Sequence, residues 1–185
     1  MPSMPAYAYA ILGAGWIAWC TPFFLVKRSA QAPSKLNRNA RWGIAFQMIG
    51  YSLLWQGHFW TRSPGLWGLA LSVVFFALAS LLSWSGAQTL GRQWRIDAGL
   101  NADHELVRSG VYGVVRHPIY TSMLCLFLAT GFLITPFLLF VIAAIFFMIG
   151  TEIRVRVEDN LLSSRFGQEF QVYRSSVSAY LPFSR

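Results

Sequence analysis

Apolar residues fall into blocks along the chain, separated by shorter polar stretches. The blocks approach or exceed the roughly 20 residues that a helix needs to cross a bilayer. The first runs over about 6–26, the second over about 42–60 and the third over about 66–87. A longer polar segment, 88–116, follows, and then two further blocks, about 118–134 and 136–151, joined by almost nothing. Thr135-Pro136 at their junction interrupts the helical pattern and predicts a tight helical hairpin. From Glu152 onward the chain is polar. Within that tail Leu162, Phe166, Phe170, Tyr173 and Val177 recur at helical spacing, with Arg165, Gln168, Glu169 and Arg174 between them. The stripe predicts an amphipathic helix, either an interfacial one over the cytoplasmic mouth of the bundle or a short soluble helix that only packs. The expected fold is therefore an all-α integral membrane protein with about five transmembrane helices and a C-terminal amphipathic cytoplasmic helix. It forms one membrane domain over 1–185, with three N-terminal helices in 1–87 and the loop, hairpin and tail in 88–185.

Charge gives this pattern a direction. Numbering the polar stretches alternately, one side receives Lys27, Arg28, Lys35, Arg38, Arg41, Arg92, Arg95, Arg108, Arg116, Arg154, Arg156, Arg165, Arg174 and Arg185, and the other only Arg62. The positive-inside rule then places the N-terminus outside and the C-terminus in the cytoplasm, in what we expect to be a bacterial inner membrane. An even number of spans would strand the basic tail outside. The first block lacks a basic leader and a small-residue cleavage site, so it reads as a retained helix.

Composition agrees with a membrane setting. The chain is 55% hydrophobic and 12% charged, against about 25% charged in an average soluble protein. Its net charge of +8 does not mark a nucleic-acid surface, because the basic residues are spread between apolar blocks and do not gather on one face with stacking aromatics. The eight Trp suit the headgroup region. Cys20 and Cys125 both lie inside apolar blocks, where packing explains them better than a disulfide or a metal site. His58, beside Trp60, reads as an interfacial residue.

Candidate chemistry is confined to the C-terminal half, in two clusters. The first is His104-Glu105-Leu106-Val107, then Gly110-Val111-Tyr112, then Arg116-His117-Pro118-Ile119-Tyr120; the second is Arg154 to Asp159. Taken singly, each has a plain explanation. Arg116 snorkels at a helix entrance, Pro118 suits a first helical turn, and Glu158-Asp159 is a solvated acidic face. The hairpin changes this, because it sets the two clusters side by side at one membrane boundary. Cation, imidazole, phenol and carboxylate together can hold a zwitterionic amino-acid ligand. Arg154 and Glu158, four residues apart, share a helix face, an arrangement that a structural ion pair would also produce.

At these residues the chain resembles the isoprenylcysteine carboxyl methyltransferase family and its phospholipid N-methyltransferase relatives, over roughly 91–183. The shared elements read here as His104–Val107, Gly110–Tyr112, Arg116–Tyr120, Arg154 with Glu158-Asp159, and Phe166-Gly167 followed by Phe170 and Tyr173. The resemblance implies S-adenosylmethionine as methyl donor. By that analogy His104, Glu105, Leu106, Val107, Tyr112, His117, Pro118, Ile119, Tyr120 and Glu158 line the cofactor pocket, and Arg154 is the catalytic residue facing the acceptor. No metal is implied. The implied acceptor is a lipophilic or prenylated molecule, with membrane lipid as surroundings. Three positions depart from the family pattern: Ser122 replaces a Gly, Asp159 replaces a Glu, and Asp97 stands where a Gln is usual.

Such a reaction makes modest demands. A carboxylate acceptor is already ionised at neutral pH, so the protein needs to align donor and acceptor and exclude water. An Arg orients the carboxylate but must not overstabilise a charge that disappears in the transition state. An amine acceptor would instead need a base, with Glu158 or Asp159 as candidates. Two other readings compete. A sterol-type NADPH-dependent membrane reductase usually carries an acidic residue near the position of Ser122. A non-enzymatic scaffold or transporter subunit is disfavoured as an ion pathway, because the spans are almost free of charge.

Overall fold

A computed structural model describes residues 3–26, 35–36, 39–58, 63–94, 99–100 and 105–181, with backbone only at 35–36 and 99–100. It contains six α-helices: α1 Ala6–Leu25, α2 Ala40–Leu54, α3 Leu66–Leu90, α4 Pro118–Ile134, α5 Phe137–Phe166 and α6 Gln168–Ser176. Two single-turn 3-10 segments, Gly91–Gln93 and Gly110–Gly113, flank the long polar loop. The stretches before α2 and after α3 meet as a two-residue antiparallel pair, β1 Lys35–Leu36 with β2 Gly99–Leu100, in the register Lys35 to Leu100 and Leu36 to Gly99.

Among the described residues three helices are long and apolar enough to cross a membrane: α1, α3 with its following turn, and α5. The apolar α4 is shorter, at 17 residues, and α2 has 15. Large apolar side chains point outward along them, Ile17, Phe24, Trp67, Leu81 and Phe137 among them. A water-soluble protein rarely leaves so much apolar surface uncovered.

Three boundaries differ from the sequence pattern. The second block was expected to be helical to about 60, but α2 ends at Leu54, because Gly57 (φ 86°) and His58 (φ 55°) turn the chain away. The last apolar block was expected to end near 151, yet α5 continues to Phe166. At about 1.5 Å per residue a 30-residue helix extends well past a hydrocarbon core of about 30 Å. The stripe read as one tail helix is divided: Leu162 and Phe166 belong to α5, Phe170 and Tyr173 to α6, and Gly167 breaks the helix at φ 51°.

Close backbone approach organises the bundle into two helix pairs. In the α3–α4 pair, Ser72 Oγ donates to the Ala129 carbonyl at 2.7 Å, and a Cβ on Gly68 would lie 2.8 Å from the Phe132 carbonyl oxygen. In the α2–α5 pair, Gly43 and Gly150 face each other so closely that a Cβ on either would collide with the other's carbonyl oxygen, at 2.7 and 2.5 Å. Gln47 Nε2 donates to Thr151 Oγ1 beside this crossing, at 3.0 Å.

The hairpin forms as expected, with only Thr135 and Pro136 between α4 and α5. Its arms are bridged by aromatic side chains. Phe127 stacks on Phe147 at 4.6 Å and on Phe140 at 5.8 Å, and Tyr51 of α2 packs edge-on against both Phe127 and Phe147. From α1, Trp16 and Trp19 donate to Thr130 and Ser122 of α4, at 3.2 and 3.0 Å. Thr135 Oγ1 donates to the Leu54 carbonyl, tying the hairpin tip to the end of α2. At the end opposite the hairpin tip, Arg116–Tyr120 faces the charged part of α5.

Candidate active site

His117 occupies the position just before α4, and Pro118 starts the helix with a φ already suited to it. One helical turn on, Tyr120 is buried beneath the imidazole, their ring centroids 5.7 Å apart. From α5, Arg154 and Glu158, four residues apart, share one helix face, and Asp159 beside Glu158 reaches the same imidazole from its other edge.

These groups form one connected network. His117 Nε2 lies 2.9 Å from Asp159 Oδ1, and Nδ1 lies 3.4 Å from Glu158 Oε2. The ring faces a carboxylate on each side, and both nitrogens can donate only when it is protonated. Burial alone would lower the His117 pKa, but the hydrogen bonds and charges of Asp159 and Glu158 outweigh it and push it up to about 9. Arg154 Nε donates to the Tyr120 hydroxyl at 2.7 Å, and that hydroxyl donates in turn to Glu158. The Arg154 guanidinium sits over the Tyr120 ring at 5.2 Å and reaches within 3.9 Å of Glu158. Arg116 pairs with Asp159 at 3.0 Å, and Arg174 of α6 lies 3.8 Å from the same carboxylate.

The two carboxylates have different surroundings. Asp159 has 6% of its side chain exposed and is ringed by Arg116, His117 and Arg174. Glu158 keeps 28% exposed, so it can still receive a cation from outside. Asp159 is thus suited to hold the site together and Glu158 to bind. With a protonated His117 the cluster also carries more positive than negative charge: Arg116, His117, Arg154 and Arg174 stand against Glu158 and Asp159. That excess favours an anionic group among them.

Of the residues expected from the sequence, His117, Pro118, Tyr120, Arg154 and Glu158 come together here. Ile119 is half-buried and packs against the cluster formed by Phe23, Ala87 and Trp94. Tyr112, buried in the Gly110–Gly113 turn, accepts a hydrogen bond from Tyr173 at its carbonyl, at 2.6 Å. Leu106 and Val107 are half-buried. Glu105 is exposed, and its N–H donates to the Gln93 side chain at 3.2 Å. His104 and Asp97 lie outside the described residues.

The sequence reading did not find the tail strap. Beyond α6, the Arg116 N–H donates to the Ser178 carbonyl and the His117 N–H to the Ala179 carbonyl, both at 2.8 Å. The Arg116 guanidinium adds bonds to the carbonyls of Arg174, at 3.2 Å, and Val177. Thr121 Oγ1 donates to the Tyr180 carbonyl at 2.7 Å. Tyr180 packs with Tyr120 and Val155, and its hydroxyl donates to Glu152 at 3.2 Å. The acceptors are mostly backbone carbonyls, which every residue type supplies.

Residues 67–169, more than half of the chain, match the phospholipid methyltransferase family. The chain is 29% identical over 147 residues to a cobalt-zinc-cadmium resistance protein of Cupriavidus metallidurans, covering 79% of this chain and 64% of that protein. It is 32% identical over 82 residues to the protein-S-isoprenylcysteine O-methyltransferase of Schizosaccharomyces pombe, covering 44% of this chain and 35% of that protein. It is 30% identical over 125 residues to the protein of the same name from Tribolium castaneum, covering 67% of this chain and 42% of the relative. The chain thus spans less than two thirds of the length of each of these relatives. Arg116, His117, Tyr120, Arg154, Glu158 and Asp159, which build the boundary network, all fall inside the matched stretch, and the chain belongs to the phospholipid methyltransferase family.

Proposed function

We propose that the chain is an S-adenosylmethionine-dependent methyltransferase acting on a lipophilic acceptor at the membrane boundary, by carboxyl O-methylation of an isoprenylcysteine-like acid. The observation that carries this reading is the junction of Arg154, Tyr120, Glu158 and His117 at the start of α4, with an excess of positive charge. The names of the Schizosaccharomyces and Tribolium relatives point the same way.

The donor set suits the amino-acid end of the cofactor. Glu158, partly exposed and oriented by His117 and Tyr120, would hold the ammonium, and the cationic groups other than Arg154 would hold the carboxylate. Pro118, Ile119 and Tyr112 would form apolar walls, and the Glu105–Val107 stretch would close the outer edge; for His104 a cofactor role is proposed from the family resemblance alone. When bound, S-adenosylmethionine supplies an electrophilic methyl that an acceptor oxygen takes as the sulfonium becomes a thioether.

Arg154 lies one turn nearer the apolar part of α5 than Glu158, where the head of a lipidic acceptor would stop. It would orient the acceptor carboxylate while Tyr120 keeps its guanidinium in place. No base is needed for an acid already ionised at neutral pH. We also propose five spans with the N-terminus outside and the site on the cytoplasmic side of a bacterial inner membrane, with α2 and α4 as the additional crossings. The tail from α6 onward would then cover the cytoplasmic mouth.

The test is methyl transfer by purified protein from labelled S-adenosylmethionine to N-acetyl-S-farnesylcysteine. Base-labile label, released as methanol, is the result expected for a methyl ester. Base-stable label in a lipid amine would overturn the carboxylate reading in favour of N-methylation. Oxidation of NADPH without any label transfer would favour the reductase.

A further inference from the structure

We propose that Gly43 is a positioning residue for Arg154, so that α2 sets the placement of the guanidinium at the mouth of the site. This rests on the reading of Arg154 as the acceptor-facing residue. The side chain of Arg154 leaves α5 directly beneath α2. A Cβ at Gly43 would lie 2.5 Å from Arg154 Cγ, 2.7 Å from the Gly150 carbonyl oxygen and 3.3 Å from the Arg154 backbone nitrogen. The absence of a side chain at Gly43 therefore lets the Arg154 stem lie flat in the crossing. Arg154 is 9% exposed, and its Nε is committed to the Tyr120 hydroxyl at 2.7 Å. With the stem held by α2 and the head by Tyr120, the guanidinium has little freedom to swing.

Cγ is the second carbon of the stem, and any displacement there passes directly to the guanidinium. A side chain at Gly43 would push the stem out of the crossing, or push α2 away from α5. Direct contact with the stem at this crossing strains the Arg154–Tyr120 bond and shifts the guanidinium, which a separation of the helices farther along, at Gly50, does not do. A misplacement of about 1 Å can cost about 100-fold in rate when a reaction depends on alignment. Glu158 and His117 lie farther along α5 and on α4, and neither is among the atoms that a Cβ at Gly43 would meet. The cofactor side of the site should therefore feel the change much less.

Gly50 provides the control within the same helix pair. A Cβ there would meet the Ala143 carbonyl oxygen at 2.8 Å and the Phe147 nitrogen at 2.9 Å, so Gly50→Ala also forces α2 from α5, but its nearest contacts include no Arg154 atom. Two readouts are compared for Gly43→Ala and Gly50→Ala in the full chain in detergent. The first is turnover of N-acetyl-S-farnesylcysteine against affinity for S-adenosylhomocysteine. Gly43→Ala should lower kcat by about tenfold or more while cofactor affinity stays within about threefold, and Gly50→Ala should leave both within about threefold even where its melting temperature falls as far. The second readout needs no catalysis. Modification of Arg154 by phenylglyoxal, mapped by mass spectrometry, should rise in Gly43→Ala and not in Gly50→Ala, with Arg116 as an internal reference. Equal effects of the two substitutions on both readouts, or unchanged Arg154 modification in Gly43→Ala, would overturn the proposal. A wild-type chain inert toward the acceptor, with Arg154 modification still responding only to Gly43→Ala, would uphold the positioning role and refute the acceptor reading.

Discussion

Glu158 and Arg154 share a helix face and a neighbour, Tyr120, yet differ in what they can reach. Glu158 is the partly exposed carboxylate, and Arg154 is buried one turn toward the apolar part of α5. Replacing Glu158 by Gln removes charge but little volume, and should weaken S-adenosylhomocysteine binding by about 1–3 kcal/mol, as for a lost charged hydrogen bond. Replacing Arg154 by Ala should leave that affinity nearly unchanged and abolish most turnover. Arg154→Lys should also be impaired, because an ammonium cannot reproduce the guanidinium's planar grip. Titration and turnover of each variant would check the assignment, and the opposite pattern would reverse it. His117 gives a pH dependence. Its pKa is raised from 6.5 to about 9, so the stability it contributes is full below pH 6.5 and is lost as pH rises through 9. Thermal unfolding of wild type and His117→Gln should differ most below the lower value and converge above the upper one. A difference that grows with pH would contradict the protonated ring. At this scale much was legible. Arg116, His117, Tyr120, Arg154 and Glu158 are polar residues flanking apolar blocks, and the hairpin pattern sets their two clusters side by side. The role of Asp159 was not, because adjacent carboxylates look alike until burial separates them.

Single residues place the ends of the helices. Gly167 separates α5 from α6 at φ 51° and ψ −123°, and a Cβ there would meet nothing within 4 Å. Gly167→Ala therefore tests backbone conformation alone. It should destabilise the fold by about 1–3 kcal/mol, read as a lower melting temperature in detergent, because L-residues rarely adopt this region. An unchanged melting temperature would show that the α5–α6 break is not needed. Gly167 and Gly57 are both ordinary stop signals in a sequence. The apolar pattern nevertheless continues across Gly57, and the helical stripe crosses Gly167, which masks both signals. The pattern failed in the other direction at Thr151. There the apolar run stops, but α5 continues for charged residues that form a helix as readily. The strap from Val177 to Tyr180 left no signal, since its carbonyls carry no sequence identity. The Gly43–Gly150 crossing was equally hidden, because a glycine in a sequence does not announce its partner.

The whole molecule divides by surface as well as by helix. Apolar side chains face outward along the long helices, and the titratable network gathers where α4 begins and α5 leaves its apolar stretch. The charge asymmetry predicts that the C-terminus faces the cytoplasm. Cysteine labelling after Arg38, Arg62, Leu100, Thr135 and Arg185 should report cytoplasmic positions at Arg38, Leu100 and Arg185 and external ones at Arg62 and Thr135. A cytoplasmic signal at Thr135 would remove α4 and α5 as a membrane hairpin, and with it the boundary site. The hairpin was legible because Pro136 cannot continue a helix. The bundle's division into an α3–α4 pair and an α2–α5 pair was not, because it depends on which small residues meet across the apolar interior. The proposed activity requires this boundary network to hold an adenosyl amino acid. Calorimetric titration of the purified chain with S-adenosylhomocysteine, run beside NADPH, tests it most directly. Saturable binding of the adenosyl compound, weakened in Glu158→Gln and retained in Arg154→Ala, is the expected result; binding of NADPH with none of the adenosyl compound would contradict the methyltransferase assignment.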